Sequence, residues 1–141
     1  MEGLLPGRKE QIIPNYTALF VENIPALLEK FPPKHLQIYG HHSTIAYEPG
    51  SLEGIEVGKK LHIKILGRAY DEKGDALLVE NTKSGKKHPH ITLSCAEGVP
   101  PEYSNELLDK AINSGSIEYF DNQEEMDMTE GYSDGIRDYI K

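Results

Sequence analysis

The chain has 141 residues, 38% of them hydrophobic and 27% charged, and a formal net charge of −8. That length suits one domain with its own core, and the balance of apolar and charged residues is that of a globular chain, not a disordered one. The acidic balance argues against a protein that wraps long nucleic acid, so any nucleic-acid ligand is expected to be a terminus or small fragment met at a local site. The charge is uneven: residues 121–130 (DNQEEMDMTE) hold much of the acid, and 83–87 (KSGKK) is locally basic. The single cysteine, Cys95, excludes an internal disulfide and a cysteine zinc site, and it fits a reducing, cytoplasmic compartment. No apolar run is long enough to span a membrane, and residues 1–11 lack a signal-peptide pattern, so no membrane association is expected.

In chain order, residues 1–14 read as a loose start with one short strand at Ile12-Ile13. Asn15 is a good N-cap, and Leu19, Phe20, Ile24, Leu27 and Leu28 recur at helical spacing, so a helix kinked or divided at Pro25 is predicted up to Phe31. Residues 36–47 read as a strand stopped by Pro49-Gly50, and 51–58 as a loop. Residues 60–70 and 76–80 read as a hairpin around DEKGD (71–75), with Gly74 supplying a positive φ. A polar loop (81–87) leads into a strand over 88–96, broken by Gly98-Val99-Pro100-Pro101. Ser104 is read as the cap of a helix whose apolar face is Leu107, Leu108, Ala111 and Ile112, ended by Asn113-Ser114-Gly115. Ile117–Phe120 reads as a last core strand, and the weakly patterned residues 121–141, like 1–14, are expected to be loosely ordered, with one short element around Tyr132, Ile136, Tyr139 and Ile140. The fold class expected is α+β with mainly antiparallel strands, in a single domain over 1–141.

Two short stretches carry the chemistry. His42-Ser43-Thr44-Ile45 and His90-Ile91-Thr92-Leu93 share the form His, any residue, Thr, apolar. In a strand, residues i and i+2 point to one face, so each motif sets an imidazole beside a hydroxyl. In the second, Ile91, Leu93 and Cys95 face the core, and His90, Thr92 and Ser94 face the other way. The first has two phases, His42/Thr44 or His41/Ser43. We adopt His42/Thr44, which puts Tyr39, Ile45 and Tyr47 on the buried face and leaves Gly40 and Ala46 as small flanks. Two histidines can act as general base and general acid near neutral pH, and threonine hydroxyls can donate to phosphoryl oxygens. One such motif alone is ordinarily a half-exposed pair without a role; two strand-borne copies point to one site. A metal site built from His41, His42, His88 and His90 competes, but the sequence shows no obvious carboxylate completing it, so no metal or other cofactor is expected. Lys87 and Tyr103 are candidate substrate contacts. Lys86 is either a phosphate attractor or a solvated loop residue, and Arg68 and His62 read as structural or exposed.

On these residues the chain resembles the 2H phosphoesterase superfamily, which includes LigT-like RNA 2′,3′-cyclic phosphodiesterases and the cyclic phosphodiesterase domains of tRNA ligases. The resemblance covers residues 36–120, and GVPPEYSNELL (98–108) is similar to the segment after the second motif in ligase-associated members. It implies a bilobal fold, two antiparallel sheets with flanking helices around a central cleft. It also implies metal-independent hydrolysis of 2′,3′-cyclic phosphate, in RNA repair or processing, to a 2′-phosphate. His42 and His90 would be catalytic, and Thr44 and Thr92 would hold the phosphate. The implied partner is an RNA 2′,3′-cyclic phosphate end or a cyclic nucleotide, bound by a monomer. A non-catalytic module binding RNA ends, or an enzyme acting on 2′–5′ oligoadenylate or ADP-ribose cyclic phosphate, would use the same cleft.

Overall fold

A computed structural model describes residues 13–141; of the strand read at Ile12-Ile13, Ile12 lies outside them and Ile13 is not in a strand. Strand β1 (Tyr16–Val21) is the first element, where helical spacing had predicted a helix. Five of its six residues are buried, and it pairs on both sides. A central strand buried on both faces reads as a continuous apolar run, and YTALFV, rich in aromatic and branched residues, is one. The helix α1 (Ile24–Lys30) is confined to the second half of the predicted span. Its cap is Asn23, whose side chain accepts from the Ala26 N–H at 3.0 Å, not Asn15. Pro25 sits in the first turn, where its missing N–H costs nothing, so it does not interrupt the helix.

The predicted strand over 36–47 is divided into β2 (Gln37–Ile38) and β3 (His42–Tyr47). Strands β4 (Lys60–Tyr70) and β5 (Gly74–Val79) form the expected hairpin, with Ile63 and Ile65 in the core. Gly74 is not among the positive-φ residues. A Cβ there would lie 2.7 Å from the Tyr103 ring, so close packing is what requires glycine. β6 (His90–Cys95) is followed by α2 (Tyr103–Ser114), ended as predicted by Gly115 in the left-handed region at φ 78°. α2 packs Leu107, Leu108 and Ala111 on Ala69, Ala76 and Leu78 of the hairpin. Ser104 lies inside the helix and makes no cap bond; Glu102 is the cap residue.

The longest strand is β7 (Glu118–Ser133), and β8 (Asp138–Tyr139) folds back on it. Most of the tail expected to be loose is therefore strand, pairing with β4 on one side and β1 on the other. Acidic residues hid its alternation. Met126, Met128 and Glu130 are spaced by two; Met128 is buried in the core, and Glu130 is buried with the Lys83 ammonium 2.6 Å away. All pairings are antiparallel within one sheet of order β2-β6-β5-β4-β7-β1-β3. The fold is α+β, and its two lobes are wings of this sheet joined through the long strands β4 and β7. The main core, with Leu19, Ile45, Leu77, Ile91, Leu93 and Met128, draws on both wings. No helix among the described residues is long and apolar enough to cross a membrane.

Candidate active site

The sheet's two ends are neighbours in sequence, and this brings the two motifs together. β2 pairs with β6, and the bonding runs on beyond it: the Tyr39 and Gly40 N–H groups donate to the Leu93 and Thr92 carbonyls at 2.8 and 2.9 Å. One residue later the chain has changed sides, and the His41 carbonyl accepts from Val21 of β1 at 2.9 Å. Gly40 makes this crossing at φ 74°, and a Cβ there would lie 2.9 Å from Leu28 Cδ2. Backbone handedness and space thus both require glycine here. On its other flank β3 is held by the 81–87 loop. Ser84 Oγ donates to the Thr44 carbonyl at 2.7 Å, and Gly85 N–H to the Ile45 carbonyl at 2.8 Å.

Both motif strands carry a β-bulge at the same motif position. Opposite β1, Ala46 and Thr44 pair with consecutive residues Thr17 and Ala18, which leaves Ile45 as the extra residue. Opposite β5, Ser94 and Thr92 pair with Asp75 and Ala76, which leaves Leu93 extra. Ile45 and Leu93 are both buried in the main core. Before each bulge the alternation follows the sequence reading. His42, Thr44, His90 and Thr92 line one cavity of about 660 Å³, within the usual range for small-ligand sites. Ser43 turns inward and accepts from Asn81 Nδ2 at 3.1 Å. After each bulge the alternation resets. Tyr47, expected on the buried face, is 62% exposed and lines the cavity. Tyr39, also expected on that face, lines the cavity for another reason: it lies before Gly40 on the segment bonded to β6, outside the β3 alternation. Ser94, expected beside Thr92, is buried and donates to Asp75 Oδ2 at 2.9 Å, in the ion pair with Arg68.

The two imidazoles are held differently. His90 Nδ1–H donates to the His88 carbonyl at 2.8 Å, which leaves Nε2 bare in the neutral ring. Burial lowers its pKa, with the charges of Lys86 and His88 adding to the effect and the His88 carbonyl opposing it. His42 is stacked on Tyr16 at 4.6 Å, and its Nδ1 lies 2.8 Å from His41 Nδ1. Burial first, then His41 and His90, push the His42 pKa down to about 3. His41 in turn directs Nε2 at Asp138 Oδ2, 2.7 Å away. Thr92 Oγ1 shares a 2.8 Å bond with Ser104 Oγ and donates to the Pro101 carbonyl at 3.3 Å. This is the part Ser104 plays in place of capping.

Lys87 and Tyr103 do not line the cavity. Lys87 pairs with Asp109 of α2 at 2.9 Å, and the Tyr103 hydroxyl donates to Asp71 at the hairpin turn. Lys86 lines it instead, with Asn15, Tyr16, His41, Pro101, Glu102 and Asn105. Arg68 is structural, 2.9 Å from Asp75, and His62 is an exposed partner of Asp127. His88 turns to Asp109 at 3.1 Å, and no group of three or more His, Cys, Asp or Glu among the described residues is arranged to hold a metal ion. Sequence reasoning missed Tyr16 and Asp138. Tyr16 was assigned to a helix, though the run that follows it reads equally as a buried strand. Asp138 carries no local signal, 97 positions from its partner.

No family profile matches the chain, and no curated protein matches it. Among solved structures, it is similar to that of a fungal RNA kinase, with a TM-score of 0.56 at 14% identity. The match covers 84% of this chain and 46% of that one, so the chain spans about half of its neighbour's length. At that identity the likeness is one of fold.

Proposed function

We propose that the protein is a 2H-type phosphodiesterase that hydrolyses 2′,3′-cyclic phosphate ends of RNA or of nucleotides. The observation that carries this reading is the convergence of His42, Thr44, His90 and Thr92 on one cavity. A cyclic phosphate asks for a base to take a proton from water, an acid to return one to the departing sugar oxygen, and donors for the phosphoryl oxygens. The two imidazoles supply the first pair. The Thr44 hydroxyl, without a partner among the described residues, supplies one donor, and Thr92 supplies the other when its hydrogen turns from the Pro101 carbonyl to a phosphoryl oxygen. Lys86, the one lysine or arginine lining the cavity among the described residues, offsets the phosphate charge. Tyr39 and Tyr47 border the cavity and supply the aromatic side-chain type on which a nucleobase stacks. The acidic net charge agrees with a small or terminal phosphate as substrate, and the likeness in fold to an RNA kinase agrees with an RNA end.

The test is to incubate the protein, with and without EDTA, with 2′,3′-cyclic AMP, 3′,5′-cyclic AMP and a short RNA ending in a cyclic phosphate. Turnover of the first and third, undiminished by EDTA and yielding a 2′-phosphate, is expected. No product from either would overturn the reading. Protection against thermal unfolding by these ligands, without product, would make the chain a binding module.

A further inference from the structure

The side chains of His42, His41 and Asp138 form a line running out of the cavity. The links are 2.8 Å between the two Nδ1 atoms and 2.7 Å from His41 Nε2 to the carboxylate. An ionised carboxylate only accepts, so His41 Nε2 carries hydrogen. Two ring nitrogens facing each other at 2.8 Å share one hydrogen, because two would clash and none would leave both lone pairs opposed. When His41 is an imidazolium, it donates from Nδ1, His42 Nδ1 accepts, and His42 Nε2 carries hydrogen. When His41 is neutral, His42 donates from Nδ1 and its Nε2 is bare. The rings are fixed for this exchange. Tyr16 stacks on His42, and Phe20 meets the His41 ring edge-on at 5.4 Å. Asp138 is held by the pairing of β8 with β7, where Gly131 leaves room that a Cβ would fill by overlapping the Tyr139 carbonyl.

We propose that Asp138 and His41 form a proton relay that sets the tautomer of His42, making His42 the proton donor and His90 the acceptor. This assignment rests on the phosphodiesterase reading above, and it treats His41 and Asp138 as positioning residues. Water attacks phosphorus, and its proton goes to His90 Nε2, the nitrogen that the His88 carbonyl leaves bare. The bond from phosphorus to one ribose oxygen breaks, and that oxygen takes the hydrogen of His42 Nε2. His42 Nδ1 takes the shared hydrogen from His41, which becomes neutral and keeps Nε2–H on Asp138. His90 loses its proton to solvent and His41 regains one, which restores the start. A neutral donor backed by a relay also suits a ring as buried as His42, since it never has to hold a full charge.

Among the described residues, the charged or titratable groups that border the His41–His42 pair or share its cavity are Asp138 from β8, Tyr16 from β1, Tyr39 before Gly40, Tyr47 from β3, His90 from β6, Lys86 from the 81–87 loop and Glu102 at the start of α2. The experiment records ring ¹⁵N–¹H correlations of the labelled full chain, without ligand, between pH 5 and 8.5. His42 should pass from the Nε2–H to the Nδ1–H tautomer as pH rises. Asp138→Asn should displace that crossover, because the carboxylate that holds the His41 Nε2 hydrogen is gone, and Asp138→Glu should restore part of it. His41→Phe should abolish it. With 2′,3′-cyclic AMP, Asp138→Asn should lower kcat by at least about tenfold with KM within about twofold, since a proton-transfer partner contributes to the chemical step. A His42 that keeps one tautomer throughout, or crosses over unchanged in His41→Phe, would overturn the relay. Absence of turnover with a normal crossover would sink the phosphodiesterase reading and leave the relay standing.

Discussion

The β3 and β6 halves of the site are alike in outline and opposite in how they are held. Each has His and Thr facing the cavity and a bulged apolar residue, Ile45 or Leu93, in the core. On β6 the partners are local and do not titrate. His90 leans on a carbonyl two residues away, and Thr92 is tied to Ser104 and Pro101 within the turn into α2. On β3 the partners are remote side chains. His42 depends on His41, His41 on Asp138, and the strand on a loop from the far wing. One half is built as a fixed acceptor and the other as a site whose hydrogen can move. A repeated sequence motif thus serves as a scaffold for two unlike environments.

Four measurements would break or sharpen this contrast. The largest effect is expected for His42→Ala and His90→Ala, each lowering kcat on 2′,3′-cyclic AMP by about 10²–10⁴. A single variant with a near-normal rate would show that one half is dispensable. Next, Thr44→Ala and Thr92→Ala should each lower kcat by about 10²–10³, as the loss of one donor to a developing charge does. Only Thr92→Ala should also lower thermal stability, by about 1 kcal/mol, because it strips Ser104 of a partner. The Thr44 hydroxyl makes no bond among the described residues, so equal melting losses would contradict the asymmetry.

The third concerns acid. His42 and His90 have folded pKa values below the unfolded value of about 6.5. The unfolded chain therefore binds more protons as pH falls, and stability drops below about 6.5 and continues to drop towards the folded pKa of His42, about 3. Above about 6.5 this contribution is constant. His42→Gln should flatten the fall in melting temperature between pH 6.5 and 4.5; an unchanged slope would mean that His42 is not held neutral. The smallest effect separates two adjacent lysines. Lys86→Ala should raise KM several-fold, whereas Lys87→Ala, which removes only an exposed pair with Asp109, should change KM by less than about twofold and leave the melting temperature nearly unchanged.

Much of the site was legible because period-two alternation is a property of a strand wherever it lies. Spacing alone sets His90 and Thr92 outward and Ile91 and Leu93 inward; at the first motif it allows His42/Thr44 or His41/Ser43, and the burial of Ser43 and Ile45 selects the former. The same rule failed one step further on, at Tyr47 and Ser94. A bulge depends on how the neighbouring strand pairs, and no single strand carries that information. β1 and β7 were misread for a related reason. Apolar residues of a doubly buried strand can coincide with a helical repeat, as in residues 15–31. Acidic residues at an inward position, such as Glu130, become legible only when Lys83 is known to face them.

The sequence by itself determined the α+β class, the β4–β5 hairpin, the end of α2 at Gly115 and the outward face of His90 and Thr92, since these follow from local periodicity and backbone stereochemistry; for the first motif it allowed two phases, His42/Thr44 and His41/Ser43. Only the tertiary structure decided that the chain crosses at Gly40 from one end of the sheet to the other. It also decided that Lys86 and not Lys87 borders the cavity, and that Asp138 stands behind His41. These depend on contacts between residues distant in the chain, where register and packing, not propensity, select the partner.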